Sequence, residues 1–470
     1  MKKTIIIILL IVMNTALWAQ TDTAKVFSYR DFYDLVLKNH PVLRQANSLS
    51  GQAKAELLMA KGGFDPKLDI NFDRKYFENK AYFNFWDNQL KVPLYWGGMD
   101  IKAGFERNVG DVLGTDIRTP LDGVSYVGIN VPILQRFVID ERRATLQNAR
   151  IFQNIAEAER VKMINKLILT AAKEYWEWYF SYRNQLLIKE FYELAAQRFQ
   201  LVSKRVMQGD LPAIDTADAQ VTLLDRRVMF EQATVELQNA RLKLSNHLWD
   251  ANGSPLELPE TAVPQLSAGQ VIDVTTLANL LETARLRHPE IQKLDLKAQQ
   301  LNVDERLGRE MLKPRFDIGL SSLNYAHRFI TGSKIPDAGA FPAFYKINVD
   351  FSLPLLFRKE RGKLEIIRVK QFQNTLETQQ LRREINNEVQ AAYNDVKNLE
   401  GQIIQQQIAV QRQAQVLRAE EQRFSIGESQ LFLVNQRESK LNELKVKLES
   451  MKAKYEKAKA TLLFAAGTFE

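Results

Sequence analysis

The chain has 470 residues, of which 45% are apolar and 26% are charged, so wholesale disorder is excluded. It contains no cysteine, which excludes a disulfide framework, thiolate metal sites, a cysteine nucleophile and a cysteine-borne lipid anchor. The net charge of +8 is spread along the chain without a block of about five or six like charges. This distribution argues against a nucleic-acid partner.

The first residues are typical of a secretory signal peptide. Lys2 and Lys3 precede an apolar run that reaches Leu17, and Ala19 supplies a small residue for cleavage after position 19. The run is shorter than the ~20 residues that a membrane-spanning helix needs, and no other segment approaches that length. We therefore expect an exported chain that would enter a membrane only through the strands of a β-barrel.

An internal duplication organises the rest of the chain. His40-Pro41 recurs as His288-Pro289, and the segment 66–70 recurs as 314–318, both at an offset of 248 residues. Each half is predicted to follow one order: a helix, a β region, a very long helix, a glycine turn and a second long helix. The first half carries about 26 additional residues in its β region.

The β regions alternate apolar and polar residues. In the second half the apolar positions are Tyr345, Ile347, Val349, Phe351 and Leu353. A period of two predicts a strand with one apolar and one polar face. Such a strand suits a barrel wall whose apolar face meets lipid, and it suits a soluble sandwich equally well. The first β region is long enough for four strands instead of two.

The long helices carry a heptad pattern. Apolar residues recur in steps of three and four from Ile164 to Tyr182 and again from Ile385 to Ile403, which predicts coiled-coil packing. No proline and almost no glycine interrupts the segments 136–206 and 358–424. Helices of that length would extend for ~100 Å.

Taken together, these residues resemble the TolC-like outer-membrane efflux protein (OEP) family over nearly the whole mature chain. The most specific marks are the duplication and two tip segments, 205–215 and 423–429, each of which begins with an arginine four residues before a glycine. The resemblance implies a homotrimer in which strands from three chains form one outer-membrane barrel. It also implies a periplasmic tunnel of helices that tapers to a gate, where the glycine turns meet a periplasmic adaptor.

The fold class that the resemblance implies is an α+β membrane protein. It would be a trimeric outer-membrane β-barrel continuous with a long periplasmic α-helical coiled-coil barrel, built from two internal repeats. A signal peptide is predicted at 1–19 and an equatorial connector at 251–274. The first repeat, 20–250, would contain a helix at 28–61, strands within 64–134 and a hairpin at 136–250. The second repeat, 275–470, would contain a helix at 275–312, strands within 314–356 and a hairpin at 358–466.

The function implied is that of an outer-membrane channel, the exit duct of a tripartite efflux or type I secretion system in a Gram-negative bacterium. It would passively conduct substrates that an inner-membrane pump and a periplasmic adaptor (membrane fusion protein) deliver. Its other contacts would be outer-membrane lipid and two further copies of the chain. The alternative is a periplasmic coiled-coil structural or adaptor protein with a soluble β domain.

Five residues are candidates for the functional site under this resemblance. Arg205, Gly209, Arg423 and Gly427 would form the docking surface at the periplasmic tip, and Asp215 would contribute to the gate. The chain departs from better-known members of the family after the second tip glycine. Leu433 and Gln436 stand where those members carry acidic residues, so the sequence argues against an acidic, cation-selective ring.

The sequence offers no constellation for catalysis, so we do not expect an enzyme. The four histidines are His40, His247, His288 and His327, and none has the spacing of a metal-binding motif. His40 and His288 each precede a proline, where a polar side chain would satisfy backbone groups at a break between helices. We therefore predict no metal site and no cofactor.

Overall fold

The computed structural model describes residues 25–265, 274–325 and 344–469. The predicted signal peptide, His327 and part of the predicted connector lie outside the described residues. The chain divides into two compact units. The helical unit comprises Met1–Ala46, Val161–His288 and Arg383–Glu470, and the sheet unit comprises Asn47–Arg160 and Pro289–Arg382.

The described residues form eight α-helices and eight strands. The helices are α1 (Tyr29–Asn39), α2 (Pro41–Lys61), α3 (Glu141–Met207), α4 (Ile214–Ser245), α5 (Val274–Arg287), α6 (Pro289–Glu310), α7 (Arg358–Ser425) and α8 (Leu431–Ala465). The strands are β1 (Lys25–Phe27), β2 (Lys67–Phe77), β3 (Lys80–Pro93), β4 (Asp100–Val109), β5 (Val124–Pro132), β6 (Ala262–Pro264), β7 (Arg315–Tyr325) and β8 (Tyr345–Ser352).

Six strands of the sheet unit form one antiparallel sheet in the order β2-β3-β4-β5-β7-β8. The first β region supplies four of these strands, which is the larger of the two alternatives that the sequence left open. In the register between the two halves, Val127 lies opposite Ser322, and Val131 lies opposite Ile318. Within the described residues, β2 and β8 each pair on one side only and form the edges of the sheet.

The sheet has one apolar and one polar face, because side chains alternate along every strand. The large side chains of the apolar face have exposed fractions from 36% to 66%. They are Leu68, Ile70, Phe72, Trp86, Ile101, Val127, Ile347, Val349 and Phe351. The polar face carries charged, amide and hydroxyl side chains. They are Asp69, Asn71, Asp87, Gln89, Lys102, Glu106, Asn130, Ser321, Lys346 and Asn348. Large apolar side chains exposed in a contiguous patch are typical of a surface that meets a partner or a membrane.

The helical unit has an aromatic core. Phe32, Tyr175 and Trp178 are almost completely buried. The hydroxyl of Tyr175 donates a hydrogen bond to the carbonyl oxygen of Phe27 at 2.8 Å, and burial raises the pKa of this tyrosine. The short strands β1 and β6 pair in parallel beside this core.

A break at His40 interrupts the helix predicted at 28–61. His40 is extended, with φ −62° and ψ 134°, because the ring of the following proline disfavours the helical conformation at this position. The Nδ1 atom of His40 accepts a hydrogen bond from the Val42 N–H at 3.1 Å, so the side chain caps the start of α2. The helix predicted at 275–312 is likewise two helices, α5 and α6, with Pro289 as the first residue of the second. Among the described residues, no helix is both long and apolar enough to cross a membrane.

Candidate docking site at the helix tips

The turn after α3 closes on Gly209 through two backbone hydrogen bonds. The Asp210 N–H donates to the Arg205 carbonyl at 2.9 Å, and the Gly209 N–H donates to the Val206 carbonyl at 3.0 Å. This pair of bonds defines a Schellman motif, which satisfies carbonyls that the end of a helix leaves unpaired. Gly209 has φ +84°, a left-handed conformation that is costly for residues with a Cβ.

The turn after α7 has the same construction. The Glu428 N–H donates to the Arg423 carbonyl at 2.9 Å, and the Gly427 N–H donates to the Phe424 carbonyl at 3.2 Å. Gly427 has φ +82°. Arg205 and Arg423 therefore occupy the same position in the two Schellman motifs. The carbonyl oxygen of each arginine accepts the hydrogen bond from the residue that follows the glycine.

Both glycines face open space. A Cβ added to Gly209 or Gly427 would have no described heavy atom within 4 Å, apart from those of its own chain neighbours. The residues beside them are exposed as well: Met207 is 79% exposed and Ile426 is 68% exposed. The two turns are thus accessible apices with apolar side chains at their margins, which is the kind of surface that can bind a protein partner.

The structure brings the two tip segments together. The guanidinium carbon of Arg205 lies 5.8 Å from the centre of the Phe424 ring, a cation–π geometry. A small apolar cluster from all four helices packs beneath the turns; its buried members are Val202, Ala219 and Leu431, and its partly buried members are Phe199, Val206, Leu211 and Phe424. Four of the five predicted site residues, Arg205, Gly209, Arg423 and Gly427, therefore belong to two turns that share one cluster.

Asp215, the candidate gate residue, is half-buried in the first turn of α4. Its N–H donates to the Pro212 carbonyl at 3.1 Å. A carboxylate at this end of a helix interacts favourably with the helix dipole. At the corresponding place in α8, Leu433 is half-buried and Gln436 is exposed.

Two charged residues that the sequence analysis did not single out hold the hairpins together. Arg198 of α3 forms an ion pair with Glu438 of α8, and its Nη1 atom also donates to Oδ1 of Asn435 at 3.1 Å. A second guanidinium nitrogen of Arg198 lies 3.7 Å from Oε1 of Glu421 on α7. The side chain of Glu438 is only 3% exposed, and Arg198 supplies the cationic partner that a buried carboxylate needs.

A recognisable signal for Glu438 exists in the sequence. Leu431, Val434, Glu438 and Leu441 follow one another in steps of three, four and three, and all four are buried. A carboxylate at a heptad core position needs a partner, because burial of an unpaired charge is costly. The identity of that partner, 240 residues away in the chain, is given only by the fold.

The described residues contain no group of three or more acidic or histidine side chains arranged to hold a metal ion. His40 and His247 lie face to face, with ring centres 5.5 Å apart. The Nε2 atom of His247 is 2.9 Å from Oε2 of Glu174. These side chains pack at the junction of α1, α2 and the end of α4.

Residues 280–468 match the family model of the outer membrane efflux protein family. No curated protein matches the chain in sequence. Among solved structures, the fold is similar to the CmeC outer membrane channel of Campylobacter jejuni, with 16% identity, a TM-score of 0.65, and coverage of 93% of this chain and 85% of that chain. It is also similar to the outer membrane protein VceC of Vibrio cholerae, with 14% identity, a TM-score of 0.64, and coverage of 94% and 96%.

A third similar structure is the MtrE outer membrane channel of Neisseria gonorrhoeae, with 14% identity, a TM-score of 0.65, and coverage of 93% of this chain and 88% of that chain. At these identities the structural matches establish the fold, and the family match adds a sequence relationship for the second half of the chain. The resemblance to the outer membrane efflux protein family is therefore confirmed, by sequence over residues 280–468 and by fold over more than nine tenths of the chain.

Proposed function

We propose that the protein is an outer-membrane channel, the exit duct of a tripartite efflux or type I secretion system. The observation that carries this proposal is the amphipathic six-stranded sheet, whose apolar face exposes large side chains while its polar face carries charges and amides. A wall between lipid and water needs these two faces. The fold shared with solved outer-membrane channels supports the same conclusion.

The channel is proposed to be a homotrimer whose outer-membrane β-barrel continues into a periplasmic α-helical barrel. In the described part of the chain both edges of the sheet are unpaired, and an open sheet cannot enclose a pore by itself, so strands from several copies are needed. The helices also offer a surface for another copy. An exposed stripe on α4 repeats every seven residues and consists of Ile214, Val221, Val228, Val235 and Leu242, with exposed fractions from 49% to 70%.

Two internal repeats would make up each chain. Corresponding elements support this proposal, because β2 and β7 each have 11 residues and begin 248 positions apart. The two Schellman turns lie at Gly209 and Gly427, 218 positions apart.

Transport through such a duct requires no bond chemistry. In the proposed mechanism, an inner-membrane pump loads the substrate, an adaptor binds the turns at Gly209 and Gly427, and a rearrangement of the tip helices opens the periplasmic end. Asp215 is proposed to pair with a basic group on a neighbouring tip helix and so to help hold the gate shut.

Fractionation of the native host tests the membrane assignment against the alternative, a periplasmic protein with a soluble β domain. We expect the protein in the outer-membrane fraction, its release only by detergent, and a trimer after cross-linking in mild detergent. Release by osmotic shock as a monomer would refute the channel and favour the alternative.

A matched pair of substitutions tests the docking surface. Gly427→Asn keeps a residue that tolerates the left-handed conformation, whereas Gly427→Trp adds bulk at the same accessible apex. Both variants should reach the membrane, because no described atom outside the local turn obstructs a Cβ there. We expect Gly427→Trp to abolish co-purification of the adaptor and export, and Gly427→Asn to retain both. Adaptor binding by the tryptophan variant would remove the turn from the docking surface.

A further inference from the structure

Among the described residues of the second half, the hairpin formed by β3 and β4 has no counterpart. In the second half, β7 and β8 are neighbours in the sheet, whereas β3 and β4 lie between β2 and β5 in the first half. The hairpin pairs on both sides, from Lys67 with Lys91 at one end of β2 to Asp100 with Asn130 at the end of β5. It is therefore an integral part of the sheet.

The hairpin extends both faces of the sheet, with polar residues at some positions of the apolar face: Asn88 lies opposite Ile70, and Arg107 lies opposite Trp86. Trp86 of β3 lies opposite Phe72 of β2 on the apolar face, and Ala103 of β4 lies opposite Val127 of β5 on the same face. On the polar face, Asp87 lies opposite Glu106. A hairpin that lay across one face of the sheet would not pair in register with β2 and β5, and it would not extend this alternation.

The turn between β3 and β4 is fixed to the start of α3 by buried charges. Asp100, whose side chain is 5% exposed, lies 2.9 Å from Nη1 of Arg142 and 3.4 Å from Nζ of Lys91. Arg142 also contacts Asp140, which precedes α3. Asp140 in turn accepts hydrogen bonds from the backbone and side chain of Arg143 at 2.9 and 3.2 Å. Both carboxylates have cationic partners, as buried charges require.

The backbone is closely packed at the same place. Gly98 has φ +64°, and a Cβ there would lie 2.6 Å from the Arg136 carbonyl oxygen. The turn therefore has a single, tightly defined position against the segment that leads from β5 into α3. Ion pairs and close backbone packing thus both join the extra hairpin to the start of α3.

The direction of the edge strands decides how copies can join. In an antiparallel sheet of six strands, the first and the last run in opposite directions, so β8 of one copy can continue the antiparallel order with β2 of the next. The contact is heterologous, and such contacts generate closed rings when the rotation between copies completes a circle.

We propose that three copies close an eighteen-stranded barrel, to which β3 and β4 contribute six strands. The proposal rests on the trimeric channel proposed above. At a strand spacing of ~4.8 Å and a tilt of ~40°, eighteen strands give a backbone diameter of about 36 Å, whereas twelve would give about 24 Å. Barrels of that size leave an aqueous channel. The proposed barrel is therefore about half as wide again, between backbones, as one of twelve strands.

Single cysteines provide the test, because the native chain has none. Lys102→Cys and Ala103→Cys probe the two faces of β4. Lys346→Cys and Ile347→Cys probe the same faces of β8, a strand of the second half. The reagent is a bulky, membrane-impermeant maleimide applied to intact outer membranes.

We expect the cysteines at 102 and 346 to react and those at 103 and 347 to be at least tenfold slower. Equal labelling at 102 and 103, with 346 and 347 still distinct, would overturn the eighteen-stranded barrel and leave the channel intact. Equal labelling at 346 and 347 would overturn the membrane wall itself, and this inference with it.

Imaging of the trimer in a lipid nanodisc gives the second measurement. A ring of eighteen strands about 36 Å across is expected, by the geometry used above. A trimer with a ring about 24 Å across would refute the inference while sustaining the proposed function.

Discussion

Val349 and Asn348 are adjacent residues of β8 that face opposite sides of the sheet. Val349 is 55% exposed on the apolar face, opposite Ile318 and between Ile347 and Phe351. Asn348 belongs to the polar face, where its Nδ2 atom donates to Oδ2 of Asp350 at 2.7 Å. Arginine at either position adds the same charge and gives the same final side chain, so the pair isolates the environment of that side chain.

Val349→Arg should strongly reduce assembly in the outer membrane. An arginine on the lipid face near the midplane of a bilayer costs roughly 2 to 4 kcal/mol, which corresponds to a factor of roughly 30 to 900 in an equilibrium constant. A trimer contains the substitution three times, so the total reaches about 6 to 12 kcal/mol.

The assay is the yield of cross-linkable trimer in the outer-membrane fraction at matched expression. We expect near-native yield for Asn348→Arg and a loss of most of the trimer for Val349→Arg. Equal yields would refute the assignment of the apolar face to lipid. A reversed order would mean that the polar face is the one removed from water.

Three further predictions follow from the helical unit. Arg198→Met leaves the carboxylate of Glu438 buried without its partner, which should lower the free energy of unfolding by about 3 to 5 kcal/mol. Thermal unfolding should show this loss, and the double variant Arg198→Met/Glu438→Leu should recover most of it. No recovery would show that the ion pair is not the cause. Burial and the neighbouring His247 ring lower the pKa of His40 from 6.5 to about 4, so the folded state binds the proton less readily than the unfolded state. The stability that depends on neutral His40 is therefore complete above pH 6.5 and declines as the pH falls toward 4. His40→Asn retains an acceptor for the Val42 N–H and should flatten this decline in a pH series of unfolding. An unaltered decline would contradict the assignment. Asp215→Ala should raise the conductance of single channels in planar bilayers if Asp215 helps to hold the gate shut, and unchanged conductance would leave it as a helix-dipole residue.

Local rules made much of the fold accessible from the sequence. The turn at Gly427 was predictable because an uninterrupted helix needs a residue that tolerates a positive φ where it ends, and the arginine four residues earlier marked the same place in both halves. The strand β8 was predictable because apolar residues alternate from Tyr345 to Phe351. Each signal involves residues close together in the chain.

The number of strands in the first β region was not predictable by the same means. Residues between Phe64 and Leu134 fitted two or four strands, since alternation marks a strand without saying what lies beside it. What settles the position of the extra hairpin is Asp100, which is buried against Arg142 across 42 residues of sequence. A charged residue at the end of a strand is ordinarily assigned to solvent, so its role could not be inferred from its type.

The same limitation applies to the tips. The sequence predicts where the two turns lie, but it does not predict which interactions hold them together. Hydrophobic periodicity assigns apolar residues to the interface between helices and polar ones to water, and on α8 this rule fails at Glu438, Glu449 and Glu456, all of which are buried. Each of these carboxylates has a cationic partner: Arg198 for the first, Arg183 and Lys452 for the second, and Lys459 for the third. Burial alone would raise the pKa of Glu449, but hydrogen bonds from Lys452 and Tyr179 and the charge of Arg183 lower it, so the carboxylate stays ionised in the core. Arg198 and Arg183 lie on α3, so a shift of α8 along α3 would separate Glu438 and Glu449 from these two cations. Lys452 and Lys459 lie on α8 itself and would move with it, so these two lysines do not define the register. Local sequence thus locates the turns, whereas the alignment of the two hairpins that carry them depends on charges from distant parts of the chain.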